Sequence, residues 1–500
     1  MRYRNVIKLL LIILIGLILR YVFIPFGALT FSYDQGRDAF IVREILAGDF
    51  KIQGPPSSTP GLYHGVFYYY LLAPFYFLGL GNPIYPVFGL AVLNCLGILL
   101  MYYFARELNF SRPISLTLAL FYAFSFEQSQ YAVWLSNPSY AALTVPLYYY
   151  FLFKSRGQNR WSPLLAGLFL GLSIQADIFL AYHIFPLLIL FIIRTIPFTK
   201  QLLAKFITGL LIGILPLVIA QFKFGFTGFV AVRNLLLPSG INQTKALFTD
   251  TALIYLNQLT RTFALNLFPI QIFLGGLAGI CLVFWFIRHV IDTPQKNILL
   301  AYLFSSLIAF PYGGVATPFV HVGIGFVIYL ILGYFLSAIL KRRFLFLIVI
   351  TLITVGNLLA IFKNNPSGQT IFALQPDLTI KNETAAIDFI YRSENGTRFS
   401  LNSITSPLHI NTSWSYLFNW YGESKYGYLP YWHGHDQIGL LGNNLQKTPA
   451  DVTDYYLIID PPEPNFVRFI QPGIEEENGF SKLEAEYNFG KIRVQKRVRI

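Results

Sequence analysis

Charge and cysteine are the scarce commodities in this 500-residue chain. Only 12% of its residues are Asp, Glu, Lys or Arg, against 55% hydrophobic, and there are two cysteines. So little charge spread over so much apolar sequence excludes a soluble globular protein and indicates a polytopic membrane protein. Cys95 and Cys281 both lie inside apolar runs, where a thiol behaves as a small hydrophobe. That excludes a disulfide framework and a cysteine metal site. The sequence has no GxxxxGK[ST] phosphate loop and no GxGxxG between a strand and a helix, so a cytoplasmic nucleotide site is not expected. It has no internal repeat of the kind that secondary transporters show. No small-residue cleavage pattern follows the basic, apolar N-terminus "MRYRNVIKLLLIILIGLILRYVFIPF", which reads as a retained anchor. The net charge of +13 sits mostly in short loops between apolar runs, where it reports topology and not nucleic-acid binding.

Eleven spans are expected: the N-terminal run, then 84 to 105, 113 to 127, 139 to 153, 162 to 175, 178 to 193, 203 to 221, 268 to 288, 297 to 313, 318 to 338 and 344 to 362. A twelfth apolar run, "GVFYYYLLAPFYFLGLG" at 65 to 81, is read as non-crossing. Were it to cross, Arg106, Arg112, Lys154, Arg156, Arg160, Arg194, Lys200, Lys341, Arg342 and Arg343 would all face outward, against the positive-inside bias. Its tyrosines and phenylalanines also suit the interface. This puts the N-terminus in the cytoplasm. Outside then lie the loop 27 to 83, the short loop from Glu127 to Pro138, the turn at Asp177, a basic loop from 222 to 267, the turn "PYGGVATP", and everything after about Phe362. The "GGLAG" cluster at 275 to 279 reads as close helix packing.

Residues 1 to 362 therefore form a transmembrane domain, and 363 to 500 an extracytoplasmic mixed α/β domain. In the latter, "RFSLNSI" and "DYYLIID" read as strands, "NETAAIDFIYRS" and "WSYLFNWYGE" as helices, and "EAEYNFGKIRVQKRVRI" as a closing strand or hairpin. "YWHGHDQ" gathers His433, His435 and Asp436, but three clustered ligands without a fourth do not make an expected metal site. No metal or cofactor is expected.

The chemistry concentrates in "SYDQGRDAF", where Asp34, Arg37 and Asp38 follow the first span. On a short interfacial helix, Asp34 and Arg37 share a face at i,i+3. Glycosyl transfer from a lipid-linked sugar phosphate fits such a site. The acceptor hydroxyl needs a carboxylate base, for which Asp34 is the candidate. The leaving lipid phosphate needs fixed cations, for which Arg37 and His64 are the candidates, His64 either protonated or donating from the neutral imidazole. A solvated helix cap or local ion pair is the alternative for the acids. Asp38, Glu127, Asn137, Asp177 and His183 are candidate substrate contacts, with Asp177 and His183 as a polar pair and Glu127 and Asp177 otherwise explained by capping or snorkelling. Arg20, near the outer end of the first span, either snorkels or joins the phosphate site.

The order of basic anchor, "SYDQGRDAF", "GPPSSTPGLYHGVFYYYLLAPFYF" and then apolar spans resembles the GT-C glycosyltransferases of the protein O-mannosyltransferase and lipid A aminoarabinose transferase type. The resemblance covers roughly the first 200 residues by pattern and the rest by architecture. It implies a GT-C-like fold, a polyprenyl-phosphate sugar donor and an extracytoplasmic acceptor, with Asp34 in the place of the family's catalytic Asp. Tyr33, Asp34 and Gln35 match a Tyr-Asp-Glu-like motif, Arg37 a following Arg, and His64 the basic residue before the aromatic run. The second outer loop departs from it: "WLSNPSYAA", with Asn137, Pro138 and Ser139, stands where the family commonly has an Arg-Pro-Asp-like element. A lipid or solute transporter and a non-catalytic scaffold of envelope glycan assembly are the alternative classes.

Overall fold

The computed structural model describes residues 3–57, 59–157, 159–197, 199–236, 248–312, 318–464 and 466–500. Among them, five helices are long and apolar enough to cross a bilayer: Val6–Phe26, Ile84–Glu107, Lys200–Lys223, Ile272–His289 and Arg343–Ser367. Five shorter apolar helices of 10–17 residues, Phe67–Leu78, Arg112–Phe124, Ser162–Ala176, Ile178–Ile192 and Ile324–Ile339, pack among them. Among the described residues each expected span overlaps helix, but several of these helices fall short of the ~20 residues a bilayer core requires, so the expected eleven crossings do not follow. Length thus carries five crossings. Phe67–Leu78, with 12 residues and a rise of about 18 Å, and Arg112–Phe124, with 13, are both shorter than a bilayer core.

Small residues set the closest helix approaches. A methyl group at Gly275 would sit 2.7 Å from Ala264 Cα, and one at Gly276 would sit 3.2 Å from Thr260 Cβ. "GGLAG" is thus a packing face. Its partner corrects the reading of 222 to 267 as a loop: Thr227–Leu236 and Phe248–Leu267 are helices. Tyr255, Leu259, Phe263 and Leu267, spaced by four, are buried along one face, which is the stripe an amphipathic helix needs. Arg233 and Arg261 are thus helical residues, while Lys245 and most of the "PYGGVATP" turn lie outside the described residues.

Arg20 neither snorkels nor reaches a phosphate site. It is buried in the bundle, donating from Nε to Asn94 Oδ1 (2.8 Å), from Nη1 to the carbonyls of Gly16 (2.9 Å) and Ala123 (2.8 Å), and from Nη2 to that of Tyr122 (3.0 Å). Tyr122 and Ala123 lie in the last turn of the helix Arg112–Phe124, so the guanidinium meets carbonyls at a helix end, where Tyr122 O otherwise has only a long 3.4 Å bond from the Ser125 N–H.

After the last long helix the chain builds a five-stranded sheet: β1 (Ser400–Ile404), β2 (Tyr431–Trp432), β3 (Asp454–Ile459), β4 (Ser481–Phe489) and β5 (Ile492–Arg499), in the order β2-β1-β3-β5-β4. β1 runs parallel to β2 and β3, while β5 runs antiparallel to β3 and β4. β1 is buried throughout and β3 nearly so, as central strands covered on both faces are. Helices Ile380–Glu394 and Val467–Asn478 flank the sheet. This domain holds the start of the candidate site. The backbone N–H groups of Ile380 and Lys381 donate to the carbonyls of Leu29 (2.9 Å) and Gly27 (3.1 Å), and Thr30 Oγ1 donates to Gly368 O (2.8 Å).

Candidate active site facing the C-terminal domain

Helix Tyr33–Leu46 begins where its sequence says it should. Gln35 Oε1 accepts from the Ser32 backbone N–H at 3.0 Å and from its hydroxyl at 2.7 Å, a reciprocal cap of the S-x-x-Q kind. Gln35 Nε2 then donates to Leu135 O at 2.7 Å, tying the helix to the second loop. On the far side, Gly36 lies against Ser413, whose Cα is 2.7 Å from where a Cβ would stand. The first turn is therefore clamped between the bundle and the C-terminal domain.

That clamp presents Asp34 to a cavity of about 400 Å³, whose lining includes Ser32, Asp34, Gln35, Arg37, Asp38, His64, Ser136, Asn137, Asp177, Gln375 and Glu463. Asp34, Arg37, Asp38, His64, Asn137 and Asp177, all singled out from the sequence, converge here. The Asp34 side chain is 62% exposed, whereas those of Arg37 and Asp38 are 10% and 4% exposed. Arg37 links the two acids: Nη1 donates to Asp34 Oδ1 at 2.7 Å, and Nε and Nη2 donate to Asp38 Oδ1 at 2.9 and 2.8 Å. Three of its five N–H groups are used, leaving one on each terminal nitrogen. Tyr69, from the helix Phe67–Leu78, donates its hydroxyl to the same Asp38 oxygen at 3.2 Å.

Burial pushes the Asp38 carboxyl up to about 6, with Arg37 opposing. Burial and the Arg37 charge push His64 down to about 4, so at neutral pH His64 is a neutral hydrogen-bonding group and not a second cation. Its Nδ1 is buried without a partner. Asp177, in the turn after Ser162–Ala176, caps the next turn by accepting from Phe179 N–H at 3.0 Å; burial raises it to about 6. Asn137 Nδ2 donates to Ala176 O, joining the second loop to that turn. Glu463, on the loop after β3, was not legible as a site residue; burial raises its pKa, and Asp34 adds to the shift.

Two expected contacts lie elsewhere. Glu127 is buried in the bundle, accepting from Asn266 Nδ2 at 2.9 Å and Gln128 Nε2 at 3.3 Å. His183 does not pair with Asp177; its Nδ1 shares a 2.9 Å hydrogen bond with the Tyr149 hydroxyl. The two are separated by the six residues of a 3₁₀ segment, Ile178–His183, which rises about 12 Å.

No protein-family model and no curated protein matches the chain. Among solved structures, the chain is similar to ArnT from Cupriavidus metallidurans bound to undecaprenyl phosphate, with 12% identity over 97% of each chain and a TM-score of 0.49. It is similar to the Archaeoglobus fulgidus oligosaccharyltransferase in complex with zinc and sulfate, with 13% identity over 85% of this chain and 62% of that one and a TM-score of 0.46. The arabinofuranosyltransferase AftD from Mycobacteria gives 12% identity over 98% of this chain but 39% of its own length, at a TM-score of 0.48.

Proposed function

We propose that the chain is an integral-membrane glycosyltransferase that moves a sugar from a polyprenyl-phosphate donor to an extracytoplasmic lipid, glycan or protein acceptor. The N-terminus is cytoplasmic, and the cavity and C-terminal domain face the opposite side. The reading rests on one observation: Asp34 is the exposed member of a buried Asp34–Arg37–Asp38 chain and opens on a cavity of about 400 Å³, within the ~300–1,000 Å³ range of small-ligand sites. An acid held by one hydrogen bond at its Oδ1 keeps lone pairs free to take the proton of an acceptor hydroxyl as it attacks the anomeric carbon. The negative charge that develops on the departing phosphate is met by the two unused Arg37 N–H groups and by an N–H of neutral His64. Asp38 is a positioning residue, since its carboxylate and Tyr69 fix the guanidinium from behind. Asn137 and Asp177 line the same cavity, where they hydrogen-bond the sugar or the acceptor.

The test is turnover. Purified protein in detergent, offered a panel of polyprenyl-phosphate sugars with membrane lipid extract as acceptor, releases polyprenyl phosphate from at least one donor and labels the acceptor. Failure of every donor in the panel, with intact protein, contradicts the proposal.

A further inference from the structure

The sequence trio His433, His435 and Asp436 does not survive as a cluster in the fold. The His433 ring packs on Tyr455 and Phe480, each with ring centroids 5.1 Å away. Asp436 accepts from its neighbour Ile438 N–H at 2.9 Å. His435 instead meets two residues remote in sequence. Its ring centroid is 4.0 Å from that of His409, and its Nε2 is 3.3 Å from Glu476 Oε1. One ligand atom from each of His409, His435 and Glu476 lies within 4.8 Å of the other two. They stand at a pocket of about 220 Å³ at the β2–β1 edge of the sheet, away from the Asp34 cavity.

We propose that His409, His435 and Glu476 bind a zinc ion, which clasps three separate segments of the C-terminal domain. Two imidazoles and a carboxylate are a zinc donor set that leaves a fourth position for water. Bonds of about 2.0–2.1 Å at the tetrahedral angle place ligand atoms roughly 3.4 Å apart. The His435–Glu476 separation of 3.3 Å already has that value, and a rotation of the half-buried His409 ring completes the triangle.

The surroundings hold the ligands in place before metal arrives. The buried Gln437 side chain donates from Nε2 to the carbonyls of both His409 (2.8 Å) and His435 (2.9 Å), so one amide fixes the two backbones that carry the imidazoles. Trp432 Nε1 donates to the same His435 carbonyl at 2.6 Å. Leu408 and Ile474, close in sequence to His409 and Glu476, pack in one apolar cluster with Ile404, Leu457 and Ile459, which sets the third ligand opposite the first. Support of this kind around the ligands is what a metal site needs to hold its geometry.

The experiment is a zinc titration of tag-free, metal-stripped, full-length protein in detergent by isothermal calorimetry, with bound zinc counted by elemental analysis. One zinc per chain is expected. His409→Gln, His435→Gln and Glu476→Gln each weaken binding at least 10-fold; His433→Gln leaves it unchanged; magnesium in large excess does not compete, because imidazole donors do not suit it. His435 and Glu476 are solvent-exposed, so their variants remain folded, and unchanged thermal unfolding of the metal-free proteins confirms it. No zinc binding by wild type, or binding by the three variants as tight as wild type, overturns the proposal.

Discussion

Removing Arg37 has a consequence that depends on pH in a way its partners fix. Asp38 is nearly inaccessible, and its carboxyl titrates at about 6 in the folded protein against about 3.9 unfolded. A raised carboxyl pKa means that the folded state binds the proton more tightly. Its stabilising effect is complete below about pH 4 and declines by about 1.4 kcal/mol per unit until the folded group ionises. In wild type that decline ends near pH 6. Arg37→Gln takes away the charge that holds the Asp38 pKa down, so burial acts almost unopposed and the decline continues through neutrality. Between pH 6 and 8 the gap between wild type and variant should widen by up to about 3 kcal/mol, two units at 1.4 kcal/mol each. Tryptophan fluorescence melts in detergent from pH 5 to 8 measure it. In an Asp38→Asn background the same substitution should show no widening. A gap that is constant with pH, or one that widens equally in the Asp38→Asn background, would refute the linkage between these two side chains.

Three further outcomes follow from the same geometry. Because His64 is already neutral well above pH 5, His64→Gln, which keeps a donor, should retain more transfer activity than His64→Phe and leave the pH–rate profile above pH 5 unmoved; a shifted profile would show that an imidazolium is needed. Arg20→Met strands Asn94 Oδ1 and the Ala123 carbonyl in the bundle, at about 1–3 kcal/mol for each group left unsatisfied; a monodisperse peak of wild-type height in fluorescence size-exclusion chromatography would contradict that. Gly36→Ala forces the Ser413 backbone away from the site helix, costing about 1–3 kcal/mol as overpacking does; an unchanged Tm would mean that the two surfaces are not in close contact.

The site helix was legible because its signals are local. Three residues separate Asp34 from Arg37, which puts both on one face, while the Ser32 and Gln35 cap shows only in the structure. What sequence could not show was everything that depends on distant chain. Glu463 reaches the cavity from the far end of the protein, and Gly36 meets Ser413 across a domain boundary. Helix Phe248–Leu267 was read as loop because Thr, Asn and Gln between its apolar positions dilute the hydrophobic signal, although the four-residue spacing from Tyr255 was present. The pairing of Asp177 with His183 failed because the intervening turn is 3₁₀ and longer per residue than an α-helix. Arg20 departs from the expectation that a charge near a span end seeks water, because carbonyls at a neighbouring helix end and Asn94 offer it partners inside.

The most direct measurement of the central claim is the transfer rate of Asp34→Asn against wild type, with donor affinity measured in parallel. Asparagine keeps the shape and the Arg37 contact but cannot accept a proton. Loss of a general base costs about 10²–10⁴-fold in rate, so the variant should bind a polyprenyl-phosphate sugar about as well as wild type and transfer it at least 100-fold more slowly. Transfer within a few fold of wild type would show that Asp34 is not the base.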